Sequence, residues 1–189
     1  MALFGRRLRP PAELRSLFTG NERLLAMAED GPAAVAATQF GLWLPVRPES
    51  DHPAGLGASG DGAPGWRRIG WDQVVKATWG EVGLQVIEGV LDEGGVVTDL
   101  PMLTLRLAEP RNLPAVVKTR VEASIARWEQ VRVPGGTGRI VARRRPGTDG
   151  LVWTARLDSG TPNSAEARAA LAGHLDRVAT LAPEQNLPA

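Results

Sequence analysis

The residues whose chemistry stands out in this sequence are arginines. Arg139, Arg143, Arg144 and Arg145 fall close together. On a strand, Arg143 and Arg145 share a face with Arg139 and Val141, while Arg144 points the other way. A basic strand beside exposed aromatics can track a phosphate backbone, with an affinity that falls as salt rises. The run contains no aromatic, and no RNA-recognition or helix-turn-helix pattern accompanies it. Its plain alternative is a charged solvent face. Arg6, Arg7 and Arg9 form a second cluster on a short basic arm, beside Leu3, Phe4 and Leu8. That arm could assist the first cluster, but its apolar content is too small for a membrane anchor.

Catalytic chemistry is harder to find. His52 lies in a Gly/Pro-rich loop and His174 beside the apolar stripe of the last predicted helix, neither with a visible nucleophile or second ligand. Asp72, Asp92 and Glu93 read as turn residues rather than members of a metal site. Gly55, Gly57, Gly60 and Gly62 are not a phosphate cradle, because no buried strand precedes them and neither Lys-Ser/Thr nor a helix follows. With no cysteine there is no disulfide, thiol or zinc-thiolate chemistry. The expectation is therefore a protein that is not an enzyme, with no cofactor and no metal.

Composition and charge bound the rest. The chain has 189 residues, 43% hydrophobic and 23% charged, as a globular protein of one ordinary domain has. No apolar run is long enough to span a bilayer, and the N-terminus lacks the apolar segment of a secretory signal, so a cytoplasmic location is expected. A net charge of +1 hides an asymmetry. Residues 46–110 carry five basic and ten acidic side chains, and residues 111–145 nine basic and two acidic. This division favours an anionic or complementary protein partner.

The elements that must position these residues follow from periodicity. Residues 1–19 read as the basic arm and a short helix starting near Pro11, with Leu14, Leu17 and Phe18 as its apolar stripe. Strands are expected at about 22–29, 33–39, 42–47, 66–71, 74–79, 83–88 and 101–108. Loops are expected over 48–65 and 89–99. A helix over 112–130 would present Val117, Val121, Ile125 and Trp128 to the core. Beyond it come a strand at 131–134, a hairpin of 139–145 and 151–157, and a last helix capped by Asn163, with Leu171, Leu175 and Val178 as its stripe. The tail from 183 should fray. The tryptophans at 43, 66, 71, 79, 128 and 153 sit mostly at core-like positions; Trp66 and Trp153 are the best candidates to show a face, although core is the better reading for both.

Seven antiparallel strands followed by one amphipathic helix resembles the order of elements in pleckstrin-homology-like domains. The segments that carry the resemblance are Ala36-Ala37-Thr38-Gln39-Phe40-Gly41-Leu42-Trp43-Leu44, Ile69-Gly70-Trp71-Asp72-Gln73-Val74 and Leu84-Gln85-Val86. The stretch from Trp71 to Trp79 is also similar to a group of uncharacterised actinobacterial proteins. The resemblance covers about residues 20–130 and implies an α+β fold, a seven-stranded antiparallel barrel capped by a helix. Residues 131–182 would pack on it as a β-hairpin and C-terminal helix. Lipid-binding members of that superfold hold phosphoinositides with basic residues near the first strand-strand loop. Here that loop is Glu29-Asp30-Gly31-Pro32, and its acids would repel a polyphosphate. The expected function is a non-catalytic protein-interaction module docking on a larger cytoplasmic assembly, with a protein partner. The alternative is a nucleic-acid-binding protein that uses the Arg139–Arg145 hairpin.

Overall fold

The computed structural model describes residues 9–30, 33–46 and 65–181. The fold is α+β, with antiparallel strand pairing throughout its sheets. Helix α1 (Ala12–Ser16) precedes β1 (Leu24–Asp30), β2 (Ala33–Thr38), β3 (Gly41–Pro45) and β4 (Trp66–Gly70), which form one sheet in that order. A second sheet holds β5 (Val74–Gly80), β6 (Gly83–Leu91) and β7 (Val97–Asp99), with β8 (Leu103–Leu105) also paired to β6. Helix α2 (Leu113–Ser124) leads into β9 (Ile125–Val133), β10 (Gly136–Arg144) and β11 (Leu151–Leu157), a third sheet in the order β11–β10–β9. Helix α3 (Ala165–Leu181) ends the described chain.

The first sheet is covered on both faces, which is why β2 and β3 read as nearly continuous apolar runs. One face (Val35, Ala37, Leu42, Leu44, Ile69) packs with Val86, Leu105 and α2 residues Leu113 and Val117 in the main core. The other (Ala36, Trp43, Trp66) packs under Leu14 of α1. A buried carboxylate fastens this layer. Glu22 accepts hydrogen bonds from Thr38 Oγ1 (2.6 Å), Trp43 Nε1 (2.8 Å), Thr19 N (3.3 Å) and Arg68 Nη1 (3.3 Å). Its burial is tolerable because both oxygens are supplied with donors.

The C-terminal sheet has its own core. Ile140, Ala155 and Val133 pack against Ala167, Leu171 and Leu175 of α3. Full burial of each leucine is worth about 1.5–3 kcal/mol. Close approach of the helix needs a bare backbone at Gly138, where a Cβ would lie 2.8 Å from Leu171 Cδ1. Val96, from the segment between β6 and β7, enters the same core at 1% exposure and bridges Ala155 in parallel register. Arg156 pairs with both oxygens of Asp99, and Arg168 with Asp92, so the third sheet and α3 are joined to the second sheet.

Several expectations are corrected. The predicted loop over 89–99 contains the end of β6 and all of β7, so eight strands rather than seven precede α2. The strands lie in two separate open sheets, and β4 is followed by β5 without pairing to it. The helix predicted to reach residue 130 stops at Ser124, because Ile125 turns extended (ψ 113°) and β9 pairs with β10 over its whole length. Trp128 is therefore a strand residue at 60% exposure and Trp79 is 48% exposed; Trp66 is buried, in keeping with its core reading. The α3 cap is Ser164, whose Oγ accepts from Ala167 N, while Asn163 Oδ1 accepts from Arg168. The loop over 48–65, the arm before Arg9, most of the β1–β2 turn and the tail lie largely or wholly outside the described residues.

Replacing Glu22 by Ala should cost roughly 3–5 kcal/mol in urea denaturation, since it removes the one buried group that answers four donors. Glu22→Gln, which keeps the shape and part of the bonding, should cost less.

Candidate functional site

The third sheet faces the second across a cleft of about 540 Å³. One wall comes from the turn after β4 (Asp72, Gln73), from Val75 and from Glu88–Leu91 of β6. The opposite wall is the outward face of β10 and β11, with Val141, Arg143, Val152, Thr154 and Arg156. Strand alternation puts these residues on that face, while Ile140 turns to the α3 core and Ala142, on the same side as Ile140, is also buried. The turn is shaped by Gln73, whose Oε1 accepts from Gly70 N at 2.9 Å and whose N–H donates to Gly70 O at 2.9 Å.

The arginine run does not form a shared cationic surface. Arg143 is 8% exposed, and its Nη1 donates to Ser124 Oγ at 2.9 Å. Burial pushes its guanidinium below the ordinary value, with nearby Asp72 opposing and Arg156 adding to the effect. Arg144 turns away and donates from Nη1 to the carbonyl of Ala123 at 3.1 Å. That carbonyl belongs to the last turn of α2, where main-chain acceptors are left over and a cation is favoured. Arg145 pairs with Asp72 at 3.4 Å, on the rim of the cleft. Arg139 pairs with Asp158 at 2.8 Å and lies 5.6 Å above the ring of Trp128. Two of the four therefore tie β10 to the end of α2. Arg9 is exposed, and Arg6, Arg7 and His52 lie outside the described residues. His174 sits on α3 with its Nε2 3.2 Å from Arg132 O and its Nδ1 2.7 Å from Arg177, away from the cleft.

Beside the cleft is an edge that periodicity hid. Strand β9 is nine residues long and terminates the β11–β10–β9 order. Trp128 is registered opposite Val141, so it lies on the same face of the sheet as the cleft wall. Arg139, two residues from Val141, reaches across the diagonal to its ring. A mixed apolar-polar signal at Ile125, Trp128 and Val131 fits either a helix or a strand. Only the partner strand β10 decides between them.

The cleft acids are paired, Asp72 with Arg145 and Glu88 with Arg67 at 2.6 Å, and Thr154 Oγ1 lies 3.4 Å from Val141 O. The arrangement can hold and orient a charged group. Among the described residues, no group of three or more His, Asp or Glu side chains converges as metal ligands. No helix among them is long and apolar enough to cross a membrane. Comparison with known proteins gives no match, whether with a family model, a curated protein or a solved structure.

Asp92, at the joint between the second sheet and α3, and Asp158, just after β11 in the third sheet, give the fold a defined acid sensitivity. Burial pushes Asp92 up, but Arg168 and the N–H groups of Val96 and Gly94 more than offset it and hold the group below its ordinary 3.8. Asp158 behaves likewise, burial being outweighed by Gln130, Thr137, Arg139 and Arg156. A carboxyl lowered in the folded state contributes stability that is complete above the unfolded value and is lost as pH falls through the folded one. The stabilisation should therefore disappear below about pH 3.8. The melting temperature of Asp92→Asn, followed against pH, should fall less steeply in that range than that of the unsubstituted protein.

Proposed function

We propose that this chain is a non-catalytic protein-interaction module that docks on a larger cytoplasmic assembly through the β9 edge. The observation that carries the reading is Trp128, a large aromatic at 60% exposure on a nine-residue edge strand with Arg139 over its ring. Edge strands present main-chain groups to which an extended segment can add, and exposed Trp and Arg are the side chains that most often anchor such contacts. The excess of basic residues over 111–145 favours an acidic segment of the partner.

The sequence resemblance is compatible with this reading. Antiparallel strands in two sheets followed by a helix packed against both support the resemblance, although the strands before that helix number eight and the sheets are open. The finer family reading is part of the proposal. For nucleic-acid binding by the arginine run the support is weaker, because Arg143 is buried and Arg144 and Arg145 already serve α2 and Asp72.

Affinity capture from native cytosol, with and without nuclease, tests the choice when run beside Trp128→Ala. A protein partner that survives nuclease and moderate salt, and that Trp128→Ala weakens by roughly tenfold or more, is expected for an edge anchored by a hot-spot aromatic. Partners that vanish with nuclease, and depend on Arg143, Arg144 and Arg145 rather than Trp128, would replace docking by nucleic-acid contact.

A further inference from the structure

The cleft contains a guanidinium with donors to spare. Arg143 commits Nη1 to Ser124, and among the described residues no carboxylate lies within ion-pair distance of it. Its charged neighbours are matched: Arg145 with Asp72, Arg67 with Glu88, Arg156 with Asp99, and Arg68 with Glu22. The local surplus is thus a single positive charge, held at 8% exposure with its remaining donors open to the cleft. A buried charge is costly unless it is paired and hydrogen-bonded, and a guanidinium does not escape by losing its proton. An anion drawn into the cleft answers that cost.

The rest of the cleft sets the kind of anion. Val75, Val90, Val97, Val141 and Val152 give it apolar walls, and Phe40 closes one side. Its volume of about 540 Å³ lies within the range of small-ligand pockets, about 300–1,000 Å³. The unused edge of a guanidinium matches the two oxygens of a carboxylate. A doubly charged phosphate would exceed the surplus charge and meet Asp72 and Glu88. We propose that the cleft binds a small organic monoanion, a carboxylate on a compact apolar body, with Arg143 as its charge partner. This site is separate from the β9 edge and stands or falls independently of docking there.

Isothermal titration of the full chain with phenylacetate and octanoate, with phenylacetamide and octanamide as neutral counterparts, and with inorganic phosphate tests it. The expected result is one carboxylate bound per chain, at least about tenfold more tightly than its amide, with phosphate weaker still. Arg143→Met should abolish the preference, and Lys118→Ala on the exposed face of α2 should leave it unchanged. Asp72→Asn should tighten carboxylate binding several-fold by releasing Arg145, a gain that a misfolded variant cannot imitate. If Arg143→Met proves unfolded, that gain decides. Equal binding of acid and amide, preference for phosphate, no binding of either carboxylate, or no gain from Asp72→Asn would each overturn the proposal.

Discussion

The hydrogen bond from Arg143 to Ser124 governs how the two halves of this protein meet. At Ser124 the chain passes from helix to strand without a connecting loop. Ser124 Oγ donates back to Val121 O at 2.7 Å and accepts Arg143 Nη1 at 2.9 Å. Arg144 takes the adjoining Ala123 carbonyl. A helix end offers carbonyls without main-chain partners, and two successive arginines on a neighbouring strand satisfy that end from outside. Because α2 is embedded in the first core through Leu113 and Val117, this junction fixes the direction in which the third sheet leaves it.

The cleft and the exposed edge follow from that direction. The third sheet turns one face to α3 and the other toward β6 and the turn at Asp72. Val96 inserts from the second sheet into the α3 core, and Gly95 permits this with φ +74° at a point where a Cβ would sit 2.7 Å from Leu175 Cδ2. The facing walls stay apart along the row of Val141, Arg143, Val152 and Thr154, leaving space lined by valines around one buried cation. At the far side of the same face, β9 has no further strand beyond it among the described residues, and Trp128 stands in solvent with Arg139. The arginines of β10 are divided among these features. Arg144 belongs to the helix end, Arg139 to the edge, and Arg143 to both the junction and the cleft.

Much of the scaffold was legible because its signals are local. Alternation in Leu151–Leu157 defined β11, turn residues at Asp72-Gln73 separated β4 from β5, and Gly80–Gly83 set the hairpin of β5 and β6. Leu171 and Leu175 marked the buried stripe of α3. The end of α2 was not legible. Val121, Ile125 and Trp128 keep helical spacing, and it is hairpin pairing with β10, joined to β9 through the turn at Pro134-Gly135, that makes 125–133 extended. The same hairpin pairing moved Trp128 from an expected core position to the surface. The cleft was invisible for a related reason: its charged residues come from β4, the following turn, β6, β10 and β11, and no single stretch holds two walls. The arginine run was conspicuous in sequence, but its division of labour depends on where α2 ends.

Hydrogen–deuterium exchange of the full chain, alone and with its captured protein partner, tests the central claim most directly. The account predicts that the amides of 125–133 that face away from β10 exchange readily in the free protein and become strongly protected in the complex, as an edge strand gaining a neighbour would. Protection confined to other elements, with 125–133 unchanged, would contradict docking through β9.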